Sequence, residues 1–329
     1  MRIKEHFKKL TKKANKIVIT THIHPDADGI GSQIALCMAL RKMGKDAICV
    51  NEEPLFERYK YLDPDNIVLG LEEYKAQYDV EQEIDLFIVA DTNSLPRIGT
   101  NVQQLVLLSK DLLFIDHHPC PKELQAIHCI DTNTAATGEL VGGLIEAIGV
   151  EFDEAIALAL YTAIIIDTSS FRYPTVTGNT HALVSKLMAA GVKPPEAFNL
   201  INGTKKISHM QLLGKVLSSA QTTKDETIAW ICLTEQMIEN HESDAEDTHG
   251  FINHLLILDN IKVACMFRKI GKQVKVSLRS SDDSIDVGIM AQALGGGGHN
   301  HSAATVVEGE LSDVVKRTIS KIEKMLSQV

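Results

Sequence analysis

The chain has 329 residues, of which 44% are hydrophobic and 23% charged, and it carries a formal net charge of −10 at pH 7. This length suffices for two domains with ordinary cores, and the composition is that of a globular protein. No stretch approaches the roughly 20 consecutive apolar residues of a membrane helix. The acidic balance excludes the extended basic stripe with which proteins grip long nucleic acid, so we expect any polyanionic substrate to be short.

The beginning of the chain predicts neither a secretory signal nor a membrane anchor. Met1 to Lys16 is rich in lysine and lacks a continuous apolar region, while Ile3, Phe7 and Leu10 recur at the spacing of an amphipathic surface helix. The six cysteines lie far apart, without a C-x-x-C pair, which argues against a zinc site built on thiolates. We therefore predict a reduced, cytoplasmic protein.

The first half of the chain alternates short β-type runs with helical patterns, which predicts an α/β fold with a parallel sheet and crossover helices. The predicted strands are Ile17–Thr20, Ala47–Val50, Leu86–Ala90 and Leu112–Ile115. The predicted helices include Ser32–Met43, Thr137–Ile148 and the nearly all-apolar Glu154–Ile166. Runs of this kind are typical of a sheet that is covered on both faces.

A break in the pattern around Gly191 to Pro195 predicts the end of the first domain. We place this domain at residues 1–195, a linker with a helix at 196–220, and a smaller α/β domain at 221–329. The strands predicted for the second domain are Thr227–Leu233, Val263–Phe267 and Val274–Leu278. Its predicted helices are Ile285–Leu294 and a carboxyl-terminal amphipathic helix capped by Ser312.

Acidic and imidazole side chains follow several of the apolar elements of the first domain. In open α/β sheets ligands bind beyond the carboxyl ends of the strands, so we expect these side chains to meet at one edge. They are His22, Asp26, Asp28, Asp91, Asp116, His117, His118 and Asp167. Carboxylates this close together repel one another and raise each other's pKa values, and bound cations resolve the conflict.

Oxygen and imidazole ligands without thiolate suit Mn²⁺ or Mg²⁺, with zinc or iron as further candidates. Two such ions about 3.5–4 Å apart can share a carboxylate and serve phosphoryl transfer. Each motif taken alone also has a purely structural interpretation. Asp26 and Asp28 would cap the helix predicted near Ser32, and Asp91 would be a turn residue after its strand. The coincidence of all these motifs at the ends of apolar elements favours the metal centre.

The same residues resemble the DHH phosphoesterase superfamily. The resemblance rests on the His22-x-x-x-Asp26-x-Asp28 run, on Asp91 and on the Asp116-His117-His118 motif. The Gly295–His299 run, which follows a strand ending in Arg279-Ser-Ser, resembles the DHHA1 domain of that superfamily. Within it, the chain is similar to the two-domain nanoRNases, which are also described as oligoribonuclease and pAp phosphatase.

The resemblance implies a role for each residue of the first domain. One metal would be held by His22, Asp26, Asp91 and Asp167, and the second by Asp28, Asp91 and His117, with Asp91 bridging. Asp116 would orient the neighbouring histidines through hydrogen bonds. His118 would contact the scissile phosphate or assist the leaving oxygen.

The resemblance also implies that the second domain holds a phosphate of the substrate. The residues expected to do so are Arg279, Gly297, Gly298 and His299. Glycines without Cβ atoms allow backbone N–H groups to approach an anion. The chain departs from the family pattern at Asn300–Ala304, where the family often ends in Ala-Ala-Gly, and at Val287-Gly288, where Val-Asn is frequent.

The leading hypothesis is a Mn²⁺-dependent phosphodiesterase that cleaves short RNA or DNA oligonucleotides to mononucleotides and also acts on pAp. A phosphodiesterase for pApA or cyclic di-AMP is an alternative that no sequence feature separates from it. The acidic composition disfavours a processive nuclease of the RecJ kind, and the glycine run disfavours a DHH pyrophosphatase. A degenerate nucleotide-binding regulator would be expected to lack ligands, and none is missing. The sequence leaves open whether the chain forms a homodimer.

Overall fold

In the computed structural model, the chain divides into two compact units, Met1–Gly203 and Thr204–Val329. The structure describes residues 2–79, 81–119, 127–202, 206–241, 246–282, 284–298 and 300–327. The division between the units falls within the segment 196–220 that the sequence analysis assigns to the linker. The domain boundaries given above stay a proposal.

The first unit is built on a six-stranded sheet in which every pair of neighbouring strands is parallel. Its strands are β1 Lys16–Thr20, β2 Asp46–Asn51, β3 Val68–Gly70, β4 Ile84–Ala90, β5 Ser109–Asp116 and β6 Ile127–Ile130. The strand order is β3-β2-β1-β4-β5-β6. The predicted α/β class with a parallel sheet is confirmed. The short edge strands β3 and β6 were missed, because three or four residues carry too little pattern.

Helices cover the sheet of the first unit. They are α1 Arg2–Lys13, α2 Ala27–Lys42, α3 Leu71–Gln77, α4 Gln103–Val106, α5 Thr137–Ala147, α6 Glu154–Asp167, α7 Gly178–Ala189 and α8 Pro194–Asn202. Two short 3-10 helices, Glu57–Leu62 and Leu95–Ile98, follow β2 and β4. The core lies between the sheet and helices α2, α5 and α6, whose inward faces are fully buried.

Helix α2 begins earlier than the sequence indicated. The predicted start near Ser32 is wrong, because Asp26 is the N-cap residue and Ala27 the first helical residue. Oδ1 of Asp26 accepts hydrogen bonds from the N–H groups of Asp28 at 3.0 Å and of Gly29 at 3.2 Å. Such a cap satisfies two of the N–H groups that a helix leaves without an internal acceptor. Asp28 consequently lies in the first turn of the helix.

Two glycines allow α2 and α5 to pack unusually closely against α6. A Cβ atom at Gly31 of α2 would lie 2.4 Å from the carbonyl oxygen of Ala159, and one at Gly138 of α5 would lie 2.5 Å from Cβ of Ala163. Distances this short are not tolerated between such atoms, so a side chain at either position would push the helices apart. The close packing brings the first turns of α2 and α5 together at one edge of the sheet.

The second unit contains a mixed six-stranded sheet with the order β11-β12-β10-β9-β8-β7. Its elements are α9 Ile207–Ser218, β7 Gln221–Thr222, β8 Ile228–Leu233, α10 Glu235–Glu239, a 3-10 helix Glu246–Ile257, β9 Val263–Ile270, β10 Gln273–Arg279, α11 Val287–Ala293, β11 Gly297–Gly298, β12 Ser302–Glu308 and α12 Leu311–Leu326. Among the strands that the structure describes here, β8 and β9 pair in parallel and the other four pairs are antiparallel. Strand β12 was not predicted. The predicted cap at Ser312 is wrong, because α12 begins at Leu311 after Glu310.

None of the helices in the described part of the chain is both long enough and apolar enough to span a lipid bilayer. The amino-terminal helix α1 is amphipathic as expected, but it packs against the core of the first unit, since Phe7 is fully buried.

The contact between α2 and α6 leads to a prediction about stability. Gly31→Ala should lower the free energy of unfolding by about 1–3 kcal/mol, because the added methyl group overpacks the contact with Ala159. Gly143→Ala is the matched control within α5, since a Cβ atom there would meet only the flexible Lys4 ammonium group. We expect this control to be neutral or stabilising by up to about 1 kcal/mol. Urea denaturation measures both, and equal values for the two variants would contradict the prediction.

Candidate metal centre

The predicted polar residues of the first unit meet where the order of the strands reverses. Strand β1 pairs with β2 on one side and with β4 on the other, and the chain proceeds from this centre in opposite directions. His22 and Asp28 follow β1, and Asp91 follows β4 directly. A crevice forms beyond the carboxyl ends of the strands at such a reversal. Asp28 and Asp91 are buried there, with 1% and 3% of their surfaces exposed.

Asp91 adopts a strained backbone conformation at the end of β4. Its φ is +64°, in the left-handed region that costs a residue with a side chain roughly 1–2 kcal/mol. The conformation is held by the N–H group of Asp91, which donates to the carbonyl of Ile115 at 2.9 Å. One carboxylate oxygen, Oδ2, then lies 3.5 Å from Nε2 of His22. Strain of this kind concentrates at functional sites, where the surrounding structure maintains it.

Three overlapping groups of side chains have the geometry to hold a metal ion. Within each group the potential ligand atoms all lie within 4.8 Å of one another. The groups are His22, Asp26 and Asp91; Asp28, His117 and Asp167; and Asp91, His117 and His118. Asp91 belongs to two groups, as a carboxylate shared between two ions would. All six proposed ligands are thus brought together, and their role as ligands stays a proposal.

The position of Asp167 differs from the role that the family resemblance implied. That assignment placed Asp167 with His22 and Asp26 on the first metal. In the structure Asp167 is the last residue of α6, and its Oδ2 lies 3.3 Å from Nε2 of His117. The same Nε2 atom lies 3.9 Å from Oδ2 of Asp28. We therefore group Asp167 with Asp28 and His117.

The three histidines of the centre share one arrangement. Nδ1 of each ring lies within hydrogen-bonding distance of an oxygen atom: the carbonyl of Ile23 at 2.9 Å for His22, the carbonyl of Thr134 at 3.3 Å for His117, and Oδ1 of Asp116 at 2.5 Å for His118. A proton on Nδ1 suits each of these acceptors and leaves Nε2 with its lone pair. Histidines that bind metals typically show this arrangement.

The buried Asp116 holds the backbone and one ring of the Asp-His-His motif through hydrogen bonds. Besides the ring of His118, its Oδ1 accepts hydrogen bonds from the backbone N–H groups of His117 at 2.8 Å and of His118 at 3.2 Å. Burial by itself would raise the pKa of Asp116, but these bonds and the His118 charge outweigh it, and the pKa lies below its usual value. An ionised Asp116 orients the ring of His118, whereas the ring of His117 is oriented by Thr134.

The electrostatics of the centre fit a site that attracts cations. Burial raises the pKa of Asp28 to about 6, and burial together with the charge of Asp28 raises the pKa of Asp91 well above its usual value. Burial would lower the pKa of His117, but the surrounding carboxylates, Asp167 foremost, raise it to about 9. Without a metal, protons bound by these groups compensate the negative charge of the clustered carboxylates. Divalent cations would supply the same charge to oxygen and nitrogen ligands that suit them.

Two contributors to the centre were not identified from the sequence. Thr137, at the start of α5, donates its hydroxyl to Oδ1 of Asp91 at 2.9 Å, and its N–H group donates to Asp28. Arg97 accepts a backbone hydrogen bond from Ile23 at 2.7 Å, and its positive charge helps to lower the pKa of His118. Arg97 is exposed and forms no ion pair with any described residue. The sequence offered one signal for Thr137, its position at the start of a predicted helix, and none for Arg97.

The candidate phosphate-binding residues of the second unit also lie near one another. Arg279 ends β10 and pairs with Ser302 of β12, while Gly297 and Gly298 pair with the next residues of the same strand. Nη1 of Arg279 donates to the carbonyl of Leu278 at 2.9 Å. His299 lies outside the described residues.

The structure supplies a reason for Gly298 that differs from the predicted one. Its φ is +144°, and a Cβ atom there would lie 2.5 Å from Cα of Ala303. The close approach of β11 to β12 therefore requires this glycine, independently of any bound anion. At Gly297, by contrast, the space around a Cβ atom is open.

The protonated state of the centre predicts a pH-dependent affinity for metal. His117 must lose its proton to act as a ligand, so binding of Mn²⁺ at pH 7 should release protons, and the affinity should rise as the pH increases towards about 9. Calorimetry in buffers of different ionisation enthalpy measures the release. His117→Gln should reduce it, whereas His6→Gln, at an exposed position of α1, should not. Binding of Mn²⁺ without proton release at pH 7 would contradict the prediction.

The chain is similar to known proteins in both of its units. Residues 16–164 match the DHH family, N-terminal domain, and residues 228–328 match the DHHA1 domain. The chain is 29% identical over 318 residues to the bifunctional oligoribonuclease and PAP phosphatase NrnA of Thermus thermophilus, covering 95% of this chain and 90% of that protein. It is 24% identical over 290 residues to the NrnA protein of Bacillus subtilis, covering 86% of each.

Solved structures show the same architecture. An exopolyphosphatase-related protein from Bacteroides fragilis is 27% identical and superposes with a TM-score of 0.89 over 98% of this chain and 96% of that one. RecJ from Thermus thermophilus, solved with Mn²⁺, is 13% identical with a TM-score of 0.58, over 100% of this chain and 55% of that one, which shows a common fold. The two matched domains lie in the order recognised in the sequence, and the chain belongs to the DHH–DHHA1 phosphoesterase family.

Proposed function

We propose that the protein is a two-metal phosphodiesterase that degrades short oligonucleotides to mononucleotides and also removes the 3′-phosphate of pAp. The observation that carries the proposal is the set of three overlapping ligand groups at the strand reversal of the sheet, two of which contain Asp91 and two of which contain His117. The relatives named as oligoribonuclease and PAP phosphatase, which align over nearly the whole chain, support the choice of substrate. The proposal includes a cytoplasmic location.

Each proposed metal has its own set of side chains. His22, Asp26 and Asp91 would hold one ion, and Asp28, His117 and Asp167 would hold the other. Asp91, which is also grouped with His117, is the proposed ligand shared by both ions. Mn²⁺ is the proposed ion, because carboxylate and imidazole ligands without thiolate suit it, and Mg²⁺ suits the carboxylates. When bound, such ions stabilise negative charge on phosphoryl oxygens and favour deprotonation of a water molecule.

His118 is proposed to contact the scissile phosphate or to assist the leaving oxygen. Its Nδ1 atom is held by the buried carboxylate of Asp116 at 2.5 Å, so the ring presents Nε2 on the side of Asp91 and His117. A histidine held by a carboxylate in this way keeps one orientation and one tautomer. Asp116 serves as a positioning residue, because its Oδ1 atom accepts hydrogen bonds from the His118 ring and from two backbone N–H groups.

The charge distribution favours a short anionic substrate. The chain carries a net charge of −10, so long-range attraction of a polyanion is weak. Arg97 offers an exposed guanidinium group in the 3-10 helix Leu95–Ile98, whose backbone is hydrogen-bonded to Ile23, the residue after His22. Arg279, with Gly297, Gly298 and His299, is the proposed phosphate-binding group of the second unit. Guanidinium groups suit phosphate because they donate two parallel hydrogen bonds.

A panel of substrates tests the proposal. Purified protein with Mn²⁺ would be given pAp, pApA, cyclic di-AMP, a five-nucleotide RNA and a 24-nucleotide DNA. We expect turnover of the short linear substrates and little turnover of the 24-nucleotide DNA, because only a few local groups of the protein are proposed to bind the substrate. Asp91→Ala is the inactive control, since it removes the shared ligand. Comparable turnover of the 24-mer would contradict the short-substrate proposal, and rapid turnover of cyclic di-AMP alone would favour a dinucleotide phosphodiesterase.

The division of labour between the units is tested separately. Arg279→Ala should lower kcat/KM for short substrates by about tenfold or more, because a charge-assisted hydrogen bond to phosphate contributes roughly 1.5–3 kcal/mol. The affinity for Mn²⁺, measured by calorimetry, should not change. Arg317→Ala, at an exposed position of α12, is the matched control and should have no effect on either quantity. Loss of Mn²⁺ binding in Arg279→Ala would contradict the assignment.

A further inference from the structure

Helix α5 begins without a capping side chain of its own. The residue in the N-cap position is Ala136, with φ of −159° and ψ of 157°, and an alanine cannot accept the hydrogen bonds of the first turn. The acceptor comes instead from α2. The carboxylate of Asp28 accepts from the N–H group of Thr137 at 2.7 Å and from that of Gly138 at 2.8 Å. A proposed metal ligand thus completes the end of a neighbouring helix.

The hydrogen bonds on Asp28 determine which of its atoms remains available. Oδ1 accepts from the N–H group of Gly138 and from the hydroxyl of Ser32 at 3.2 Å, which occupies both of its lone pairs. Oδ2 accepts only from Thr137, and it is the oxygen that lies 3.9 Å from Nε2 of His117. One lone pair of Oδ2 is therefore left for a cation.

Thr137 holds Asp91 in the same way. Its hydroxyl donates to Oδ1 of Asp91 at 2.9 Å, while Oδ2 of that carboxylate faces Nε2 of His22 at 3.5 Å. Thr137 has no solvent-exposed surface, and a branched Cβ restricts its side chain to few rotamers. One buried residue therefore contacts two carboxylates at once, through its backbone and through its side chain.

The segment that carries Thr137 is itself fixed by a buried carboxylate. Oε2 of Glu139 accepts from the N–H group of Ala135 and from the hydroxyl of Thr180 on α7, both at 2.9 Å. The carbonyl of Thr134, just before this turn, lies 3.3 Å from Nδ1 of His117. One short segment, residues 134–138, thus contacts three of the proposed ligands: Asp28, Asp91 and His117.

We infer that Thr137 is a positioning residue that sets the separation of Asp28 and Asp91, and with it the affinity of the centre for divalent cations. This inference rests on the proposed function only in taking these carboxylates as metal ligands. Without the Thr137 hydroxyl, the carboxylate of Asp91 can rotate. Its two oxygen atoms would then no longer be held in the orientation that places Oδ2 beside His22 and Oδ1 beside Thr137. Residues that orient ligands in this way typically change metal affinity by about 10–100-fold.

The test compares variants of Thr137 in the full-length protein. Thr137→Val keeps the shape and removes the hydroxyl, and it should weaken Mn²⁺ binding measured by calorimetry by about 10-fold or more. Thr137→Ser keeps the hydroxyl and should restore most of the affinity. Thr137→Ala is the second variant that lacks the hydroxyl, in case valine disturbs packing. Thr11→Val is the matched control, because Thr11 is equally buried and donates its hydroxyl to the carbonyl of Phe7 in α1.

The outcomes distinguish the inference from the proposed function. Wild-type affinity in Thr137→Val and Thr137→Ala, with only a lowered Tm like that of Thr11→Val, would overturn the inference while leaving the hydrolase proposal intact. Equal losses in the serine and valine variants would also overturn it, since the hydroxyl would then not matter. Weakened Mn²⁺ binding in Thr137→Val and Thr137→Ala, with most of the affinity kept in Thr137→Ser, supports the inference. This result would support it even if the wild-type protein cleaved none of the short substrates, an outcome that would contradict the proposed function alone.

Discussion

The centre of the first unit depends on one buried carboxylate, that of Asp28. A buried charge is costly unless hydrogen bonds or an opposite charge compensate it, and here the first turn of α5, Ser32 and His117 share that role. Helix α5 in turn lacks a cap of its own and depends on the same carboxylate. The close packing of α2, α5 and α6, which Gly31 and Gly138 make possible, is what brings the partners within reach. Fold and site are therefore stabilised by the same contacts.

The structural interpretation of these acids is compatible with the proposed functional one. Asp26 caps α2, and Asp28 accepts the hydrogen bonds that a cap of α5 would accept. Capping uses some lone pairs of each carboxylate and leaves others directed into the crevice. A ligand held in this way is already oriented before a cation arrives, so little conformational freedom is lost on binding. The capping hydrogen bonds are therefore compatible with the proposed role of these carboxylates as metal ligands.

The centre also shows how the protein separates affinity from specificity. The ligands for the proposed metals belong to the first unit, and their charges attract divalent cations strongly. The groups proposed to bind a phosphate, Arg97 and Arg279, are few, and the net charge of the chain opposes long-range attraction of nucleic acid. Under the proposed function, selectivity would come from local contacts to the metals and to a phosphate of the substrate. This proposal fits the acidic composition and the relatives named oligoribonuclease and PAP phosphatase.

The sequence by itself determined the fold class, the main strands and the polar residues at their ends, because apolar periodicity and short motifs are local properties. It also indicated the family, whose motifs are contiguous. Only the tertiary structure decided the partners: that Asp167 lies against His117, that Thr137 joins Asp28 to Asp91, and that Arg97 flanks the crevice. These contacts join residues 46 or more positions apart or depend on how one loop lies against another, and helix packing sets them. The edge strands β3 and β6 escaped prediction for the same physical reason, since pairing with a neighbouring strand, and not their few residues, makes them strands.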